Sequence, residues 1–262
     1  MSKQLLTERL LADPQIADLY RRATQSPFLR LGGQGCLSRE ALSEWLSQDR
    51  LYAQAYIRFV GGLISRVKLP IEVDAQGTNA TLQWRILTLL QGCLAGILRE
   101  LRFFEETAES YDLNLATAGA GETAFGPNAT TKGYMKMFDS FTTSTPPQAE
   151  LPKTLFDGLV VLWATEKAYL DAWSYANESS RGRVSEEDHD GGALREKFIP
   201  NWTSQPFQDF VKEIQECLDT YAESQLAEGN SDAGFMTAAA ITKKVLVLEE
   251  GFWPVIVSEE II

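Results

Sequence analysis

The feature that most constrains the fold is a long segment, Ser38 to Val67, in which apolar and aromatic residues recur at helical spacing. Ser38 is a good N-cap residue, and no proline follows before Pro70. At steps of three and four, one face of this predicted helix carries Trp45, Asp49, Tyr52, Tyr56, Phe59 and Leu63. Because all of these except one are apolar or aromatic, the face is predicted to be buried in a core.

Asp49 interrupts this apolar face. A carboxylate at a buried position loses much of its hydration, which is costly unless the group gains a partner. Such a residue is therefore retained either for a structural hydrogen bond or for a functional site.

The rest of the chain is also predicted to be helical. The other helices are predicted at residues 4–23, bent or restarted at Pro14, and at 80–111, 130–143, 149–177, 207–224 and 231–253. The glycine-rich stretch 26–37 is predicted to be a connection, and the polar stretch 178–192 a solvated loop. No segment alternates with the period of a strand, and there is no internal repeat. We therefore expect one all-α domain over residues 1–262, built as a multi-helix bundle.

Composition and charge exclude several classes of partner. The net charge is −12, which opposes nucleic-acid phosphates and anionic lipid. No run of about 18 apolar residues could span a membrane, and the first residues do not resemble a secretory signal. The three cysteines, Cys36, Cys93 and Cys217, are scattered, which predicts neither disulfides nor a zinc site and favours a cytoplasmic protein.

Two further helices repeat the pattern of a carboxylate set into an apolar face. On the helix at 149–177 the face carries Leu159, Leu162, Glu166, Tyr169 and Trp173. On the last helix it carries Val245, Leu248, Glu249, Phe252 and Ile256. A salt-bridged or helix-edge carboxylate is the commoner explanation for any one of them. Together they favour a shared cavity, lined by the faces through Tyr52, Tyr169 and Phe252, in which carboxyls of raised pKa bind a nitrogenous ring and transfer protons.

Histidine usage argues against most metal and cofactor chemistry. The chain has one histidine, His189, in a hydrophilic stretch where an ordinary solvated side chain is expected. A di-iron bundle requires Glu-x-x-His pairs, haem commonly requires an axial histidine, and a Ser-His-Asp triad requires a histidine near its nucleophile. We therefore predict no metal and no cofactor.

Five stretches, taken in order, resemble the TenA/thiaminase II family, which has the haem-oxygenase-like all-α fold. They are SPFLRLGGQGCLSREALSEWLSQDRLYAQAYIRF, ATTKGYMKMF, LVVLWATEKAYLDAW, FIPNWTSQPFQDFV and VLEEGFW. The first contains Gln-Asp-x-x-Tyr on the long helix, and the last contains Glu-x-x-Phe-Trp. The resemblance covers most of the chain, with Ser26 in place of a histidine, no tyrosine after Trp202, and an apparent insertion at 178–192.

The resemblance implies roles for particular residues. Asp49 and Tyr52 would hold an aminopyrimidine, Tyr134 would help to orient it, and Glu249 would be the acid/base carboxyl. In the better-studied branch of the family a cysteine attacks the substrate from the central helix. Thr165 stands at that position here, four residues before Tyr169, and the stretch is similar to the branch in which a glutamate, here Glu166, replaces the thiol. Tyr169 and Phe252 would complete the binding site.

The resemblance implies an aminopyrimidine aminohydrolase acting on amino- or formylamino-methylpyrimidine in thiamin salvage. The alternative is a non-catalytic or regulatory relative that binds a pyrimidine or another small ring. A third option, an oxidative enzyme on the same fold, as in pyrroloquinoline quinone synthesis or haem degradation, is disfavoured by the missing histidines. The family also implies a homo-oligomer, either a dimer or a tetramer.

Overall fold

The computed structural model of the protein describes residues 4–71, 81–119, 121–142, 153–180, 187–226 and 231–256. All regular secondary structure in these ranges is helical, which confirms the all-α prediction. The helices are α1 (Leu6–Ala12), α2 (Pro14–Thr24), α3 (Pro27–Gly33), α4 (Arg39–Ile64), α5 (Leu82–Tyr111), α6 (Ala129–Asp139), α7 (Leu155–Ser179), a π-helical turn (Leu194–Phe198) that continues into α8 (Ile199–Trp202), α9 (Gln205–Leu226) and α10 (Ser231–Phe252).

Most of these helices begin at a polar residue whose side chain caps the first turn. Asp13 accepts a hydrogen bond from the backbone N–H of Gln15, with Pro14 at the first helical position, so the predicted first helix restarts there as α2. Ser38 caps α4 by accepting from the backbone N–H of Ala41 at 3.2 Å. Each cap satisfies a backbone donor that the helix itself leaves unpaired.

Helix α7 is the centre of the bundle. Buried residues occur all round it, as is typical of a helix surrounded by others. It packs against α2, α3, α8, α9 and α10, while α4 packs against α5 and α6. The buried apolar residues form one connected core. The assignment of all of residues 1–262 to a single TenA-like domain stays a prediction.

The prediction that residues 26–37 form only a connection is wrong, because they include α3. Ser26 caps this helix and Pro27 begins it. Its glycines permit close packing: a Cβ on Gly33 would lie 1.9 Å from the carbonyl oxygen of Ala176 on α7. Gly35, with φ of +69°, then makes the turn that leaves the helix.

The prediction of a solvated loop at 178–192 is also wrong for the part that the structure describes. Residues 181–186 lie outside the described residues. The side chain of Asp188 is 3% exposed and pairs with Arg195, whose side chain is 7% exposed. Asp190 is buried and accepts hydrogen bonds from the backbone N–H groups of Gly192 and Leu194 at 3.0 and 2.8 Å. The side chain of His189 is exposed, as expected.

Among the described helices, none combines the length and the apolar character that a bilayer span requires. The predicted cytoplasmic location and homo-oligomeric state stay predictions, as does the expectation that nucleic acid and membranes are not partners.

Candidate active site

Four carboxyl groups from four helices lie near one another, and each accepts a hydrogen bond from an aromatic side chain of a different helix. Tyr169 Oη donates to Asp49 Oδ2 at 2.9 Å, and Tyr56 Oη donates to Glu166 Oε1 at 2.7 Å.

In the other two pairs, Tyr134 Oη donates to Glu249 Oε1, and Trp202 Nε1 donates to Glu100 Oε1 at 3.2 Å. Each of these hydrogen bonds joins two helices, so the polar groups of the site also fix the packing of the bundle around it.

A small inner cavity lies among these groups. Its lining residues are Asp49, Tyr52, Tyr56, Ile97, Glu100, Thr165, Glu166, Tyr169, Trp202 and Phe207. Its volume is about 30 Å³, which is room for about two water molecules. No described lysine, arginine or histidine lines it. The cavity is therefore narrow, aromatic and acidic, and a ring would have to widen it.

The inner cavity adjoins a larger outer cleft of about 590 Å³. The two share Tyr56, Ile97, Glu100, Glu166, Trp202 and Phe207 in their linings. The outer cleft continues along α5 and the first two turns of α9, where Phe103 and Phe210 contribute apolar surface. Arg99 is the one basic side chain in its described lining. A ligand would thus reach the inner carboxyls from the side of α5 and α9.

Aromatic rings form the walls of the inner cavity. The ring of Tyr52 packs edge-on against Tyr134, with 4.9 Å between centroids, and lies 5.7 Å from Phe252. The ring of Tyr169 packs against Trp202 at 5.1 Å and stacks on Trp253 at 6.2 Å. Flat apolar walls of this kind suit a planar heteroaromatic ligand.

Burial raises the pKa of each carboxyl well above its ordinary value. The pKa of Asp49 rises to about 7, because burial outweighs the hydrogen bond from Tyr169 and the charge of Glu166 adds to the rise. The pKa of Glu166 also rises to about 7, opposed by the hydrogen bond from Tyr56. Burial raises the pKa of Glu249 to about 8, which the Tyr134 hydrogen bond opposes and nearby charges reinforce. These carboxyls can therefore exchange protons near neutral pH.

The seven residues predicted for the site all lie in this region, although they do not all reach the cavity. Asp49, Tyr52, Glu166 and Tyr169 line it. The lining does not include Tyr134, Glu249 and Phe252; of these, Tyr134 and Phe252 pack against Tyr52, and Tyr134 donates to Glu249. Their roles in binding and catalysis stay predictions.

Two groups bear on thiol chemistry. Thr165, at the position where the resemblance implies a cysteine, is buried, and its hydroxyl donates to the backbone oxygens of Val161 and Leu162 at 3.1 and 3.0 Å. Although none of the three cysteines stands at that position, Cys93 lines the outer cleft. Burial raises the pKa of the Cys93 thiol, so the thiolate that would act as a nucleophile is disfavoured.

Tyr56 and Glu100 are among the lining residues that were not predicted as functional. Tyr56 belongs to the recognised apolar face of α4, but its hydroxyl could not be assigned a partner from sequence. Glu100 was missed, although a signal exists: on α5 it shares a face with Cys93, Ile97 and Phe104 at steps of four, three and four. This is the same pattern that singled out the other three carboxylates.

Gln48, the glutamine of the Gln-Asp-x-x-Tyr motif, has a structural role. It is buried, its side-chain nitrogen donates to the carbonyl oxygen of Gly126 at 3.0 Å, and its Oε1 accepts from Asn128 N–H and Thr131 Oγ1 at 3.0 and 2.8 Å. These contacts hold the start of α6 against α4. Gln48 thereby positions the helix that carries Tyr134.

Within the described ranges, no group of three or more His, Cys, Asp or Glu side chains is arranged to hold a metal ion. The expectation that the protein uses no metal stays a prediction.

The sequence is similar to known proteins over most of its length, although no protein-family model matches it. A Fusarium pseudograminearum protein called "Probable transcription factor" is 28% identical over 247 residues, which are 84% of this chain. The chain spans about half of that relative, 46% of its length. A Glycine max protein called "Probable bifunctional TENA-E protein" is 21% identical over 235 residues, which are 90% of this chain and 86% of the relative.

Solved structures give the clearer result. The crystal structure of a TenA homologue from Pyrococcus furiosus superposes with a TM-score of 0.69 and 22% identity, over 95% of this chain and 98% of that one. The ordered motifs predicted this architecture from the sequence. The chain therefore has the all-α fold of the TenA homologues.

Proposed function

We propose that this protein is an aminopyrimidine aminohydrolase of the TenA/thiaminase II type, acting on amino- or formylamino-methylpyrimidine breakdown products of thiamin for salvage. The observation that carries the proposal is that Asp49 and Glu166 face one aromatic cavity from α4 and α7, each with a pKa of about 7. Carboxyls with such pKa values are suited to bind ring nitrogens and to move protons at neutral pH.

The reaction replaces the amine on the pyrimidine methylene by water. The water oxygen bonds to the methylene carbon, the carbon–nitrogen bond breaks, and the products are a hydroxymethylpyrimidine and ammonia or, from the formyl derivative, formamide. A base must take one proton from the water. The leaving nitrogen must depart protonated, so an acid supplies that proton where the nitrogen does not already carry it.

The two glutamates divide these tasks by their proton affinities. Glu166 lines the cavity with a pKa of about 7, so its ionised form is available to accept a proton from water. Glu249 has a pKa of about 8, so it is mostly protonated at neutral pH and serves as the acid once a ligand widens the cavity towards α10. Asp49, held by Tyr169, accepts hydrogen bonds from the exocyclic amino group of the ring.

The experiment is product analysis. Purified protein is incubated with the aminomethylpyrimidine, its N-formyl derivative and thiamin, and the products are separated by chromatography. We expect the hydroxymethylpyrimidine from at least one of the first two, and a loss of turnover in Glu166→Gln. Glu250→Gln is the matched control, because Glu250 adjoins Glu249 in sequence but pairs with Arg22 at 2.7 Å at the protein surface.

A second candidate is a non-catalytic regulatory protein that binds a pyrimidine or another small ring. The name of the Fusarium relative, "Probable transcription factor", favours it. Tight binding of the pyrimidines with no product formed from any of the three compounds would select this candidate over the hydrolase.

A further inference from the structure

The carboxyl groups occupy different depths of the site. Glu249 lies outside the lining of the inner cavity, and Asp49 lines only that cavity. Glu166 and Glu100 line both the inner cavity and the outer cleft, so they stand at the junction between the two. A ring bound against Asp49 would therefore present its methylene substituent to Glu166 and Glu100 on the outer side, and to Glu249 only where the cavity has widened towards α10.

Glu100 is held in place at this junction. It projects from α5, and Trp202 Nε1 of α8 donates to its Oε1 at 3.2 Å. Trp202 is itself buried and packs against Tyr169 and Trp173, with centroid distances of 5.1 and 4.9 Å. The indole that fixes Glu100 is therefore part of the aromatic core, and the carboxyl has a defined position without a basic partner in the inner cavity.

The surroundings of Glu100 favour a cation that no described residue lining the inner cavity supplies. Burial, with the charges of Asp49 and Glu166, raises the pKa of Glu100 well above its ordinary value, and only the Trp202 hydrogen bond opposes this. Arg99 lines the outer cleft, where it is exposed, and it is not part of the inner cavity's lining. A positively charged ligand group at the junction would be stabilised by Glu100 and by Glu166 together.

We propose that Glu100 is a specificity-determining residue that binds the leaving group of the substrate and favours a protonated amine over a neutral group. This inference rests on the proposed function, since it takes the ligand to be a methylene-substituted pyrimidine. The preference arises because a charged hydrogen bond forms only with the ammonium, whereas a neutral substituent leaves the acidic junction uncompensated.

The test compares two ligands that share one ring: the aminomethylpyrimidine, which is cationic, and the hydroxymethylpyrimidine, which is neutral and cannot be hydrolysed further. Binding is followed by intrinsic tryptophan fluorescence within seconds of mixing. In Glu100→Gln we expect the Kd of the aminomethyl ligand to rise about tenfold or more, and that of the hydroxymethyl ligand to change less than about threefold.

Further variants separate the charge from the fold. Glu100→Asp retains a carboxyl and should preserve most of the preference for the cation. Glu105→Gln removes an exposed carboxylate from the same helix and should change neither Kd. An equal loss of both ligands in Glu100→Gln, or no loss of the aminomethyl ligand, would overturn the proposal.

Hydrolysis is measured separately on the same proteins. If the two ligands show the expected difference but no product forms, the proposed function fails and the role of Glu100 in binding stands. If product forms but Glu100→Gln does not discriminate between the ligands, the inference about Glu100 fails alone. Failure of the parent protein to bind either ligand overturns both.

Discussion

Carboxyl groups in two regions of this molecule are partnered in opposite ways. At the turn before α8, the carboxylate of Asp188 receives two hydrogen bonds from the Arg195 guanidinium, both at 2.6 Å. In the inner cavity, Asp49 and Glu166 each receive one hydrogen bond from a neutral tyrosine hydroxyl, and no described basic residue lines the space.

The difference shows which carboxylates are structural. The Asp188–Arg195 pair is complete within the protein. The segment that carries it is joined to the α3–α4 turn by the backbone N–H of His189, which donates to Gly35 O at 3.1 Å. Burial disfavours the ionised form of the cavity carboxyls. They can therefore exchange a proton near neutral pH or bind a cationic ligand group.

The largest expected effect is on catalysis. Glu249→Gln should lower kcat by roughly 10²–10⁴ on the N-formyl derivative, whose leaving nitrogen is not already protonated, because the variant keeps the shape of the acid but cannot transfer its proton. Asp49→Asn should raise KM as well, since it weakens the hold on the ring. Both are measured by steady-state kinetics with the N-formyl derivative as substrate.

Asp188→Asn is the control for the catalytic prediction, because it removes a buried carboxylate outside the site. The folded fraction of this variant should keep the parent kcat. If Asp188→Asn lowers kcat as much as Glu249→Gln does, the distinction between structural and catalytic carboxyls is wrong.

The second prediction concerns stability. Asp188→Asn should lower the free energy of unfolding by about 3 kcal/mol, because it breaks a buried ion pair and leaves the guanidinium without that carboxylate. Glu166→Gln should cost far less or even stabilise, since it removes a carboxyl that burial already disfavours as an ion. Urea unfolding followed by circular dichroism gives both values, and equal losses would count against the comparison.

The third prediction is a pH dependence of stability. The pKa of Glu166 is about 7 in the folded protein against an ordinary value of 4.5, so between these values the folded state holds a proton that the unfolded state has lost. This contribution to stability is fully present below the unfolded pKa and is lost as the pH rises through about 7. In the parent protein the free energy of unfolding should therefore fall as the pH rises through this window. Glu166→Gln should make that fall less steep, by at most about 1.4 kcal/mol per pH unit.

Urea unfolding at a series of pH values measures the slope. Glu105→Gln, which removes an exposed carboxylate, should leave it unchanged. A parent protein that becomes steadily more stable from pH 5 to pH 7 in the absence of ligand, with no change of slope in Glu166→Gln, would contradict the raised pKa.

The smallest expected effect is a shift in a pH–rate profile. Tyr56→Phe removes the hydroxyl that donates to Glu166 Oε1 at 2.7 Å, a hydrogen bond that favours the ionised carboxylate. The pKa of Glu166 should rise by about one unit or less, which moves the acidic limb of kcat/KM against pH upwards. Tyr111→Phe, which removes a hydroxyl that donates to Glu196 at the surface, should leave the limb in place.

The sequence alone determined the helical architecture, and it singled out three of the four carboxyls that the structure places near one another. Helical periodicity predicted the long helices, since apolar residues that recur at steps of three and four lie on one face only if the segment is a helix. The same periodicity exposed Asp49, Glu166 and Glu249, because a carboxylate within an apolar face is visible from its neighbours. Periodicity did not predict α3, because its glycines are typical of a turn. In the structure, Gly33 allows α3 to pack closely against Ala176.

The tertiary structure decided how the carboxyls are partnered and which of them reach the cavity. Asp188 was read as part of a solvated loop and is paired with Arg195, while Glu249 was grouped with Glu166 and lies outside the cavity lining. Glu100 joins the site only because α8 brings Trp202 against α5. Periodicity reports which face of a helix is buried, but the partner across that face comes from a distant part of the chain, and the partner determines whether a buried carboxyl is neutralised or left reactive.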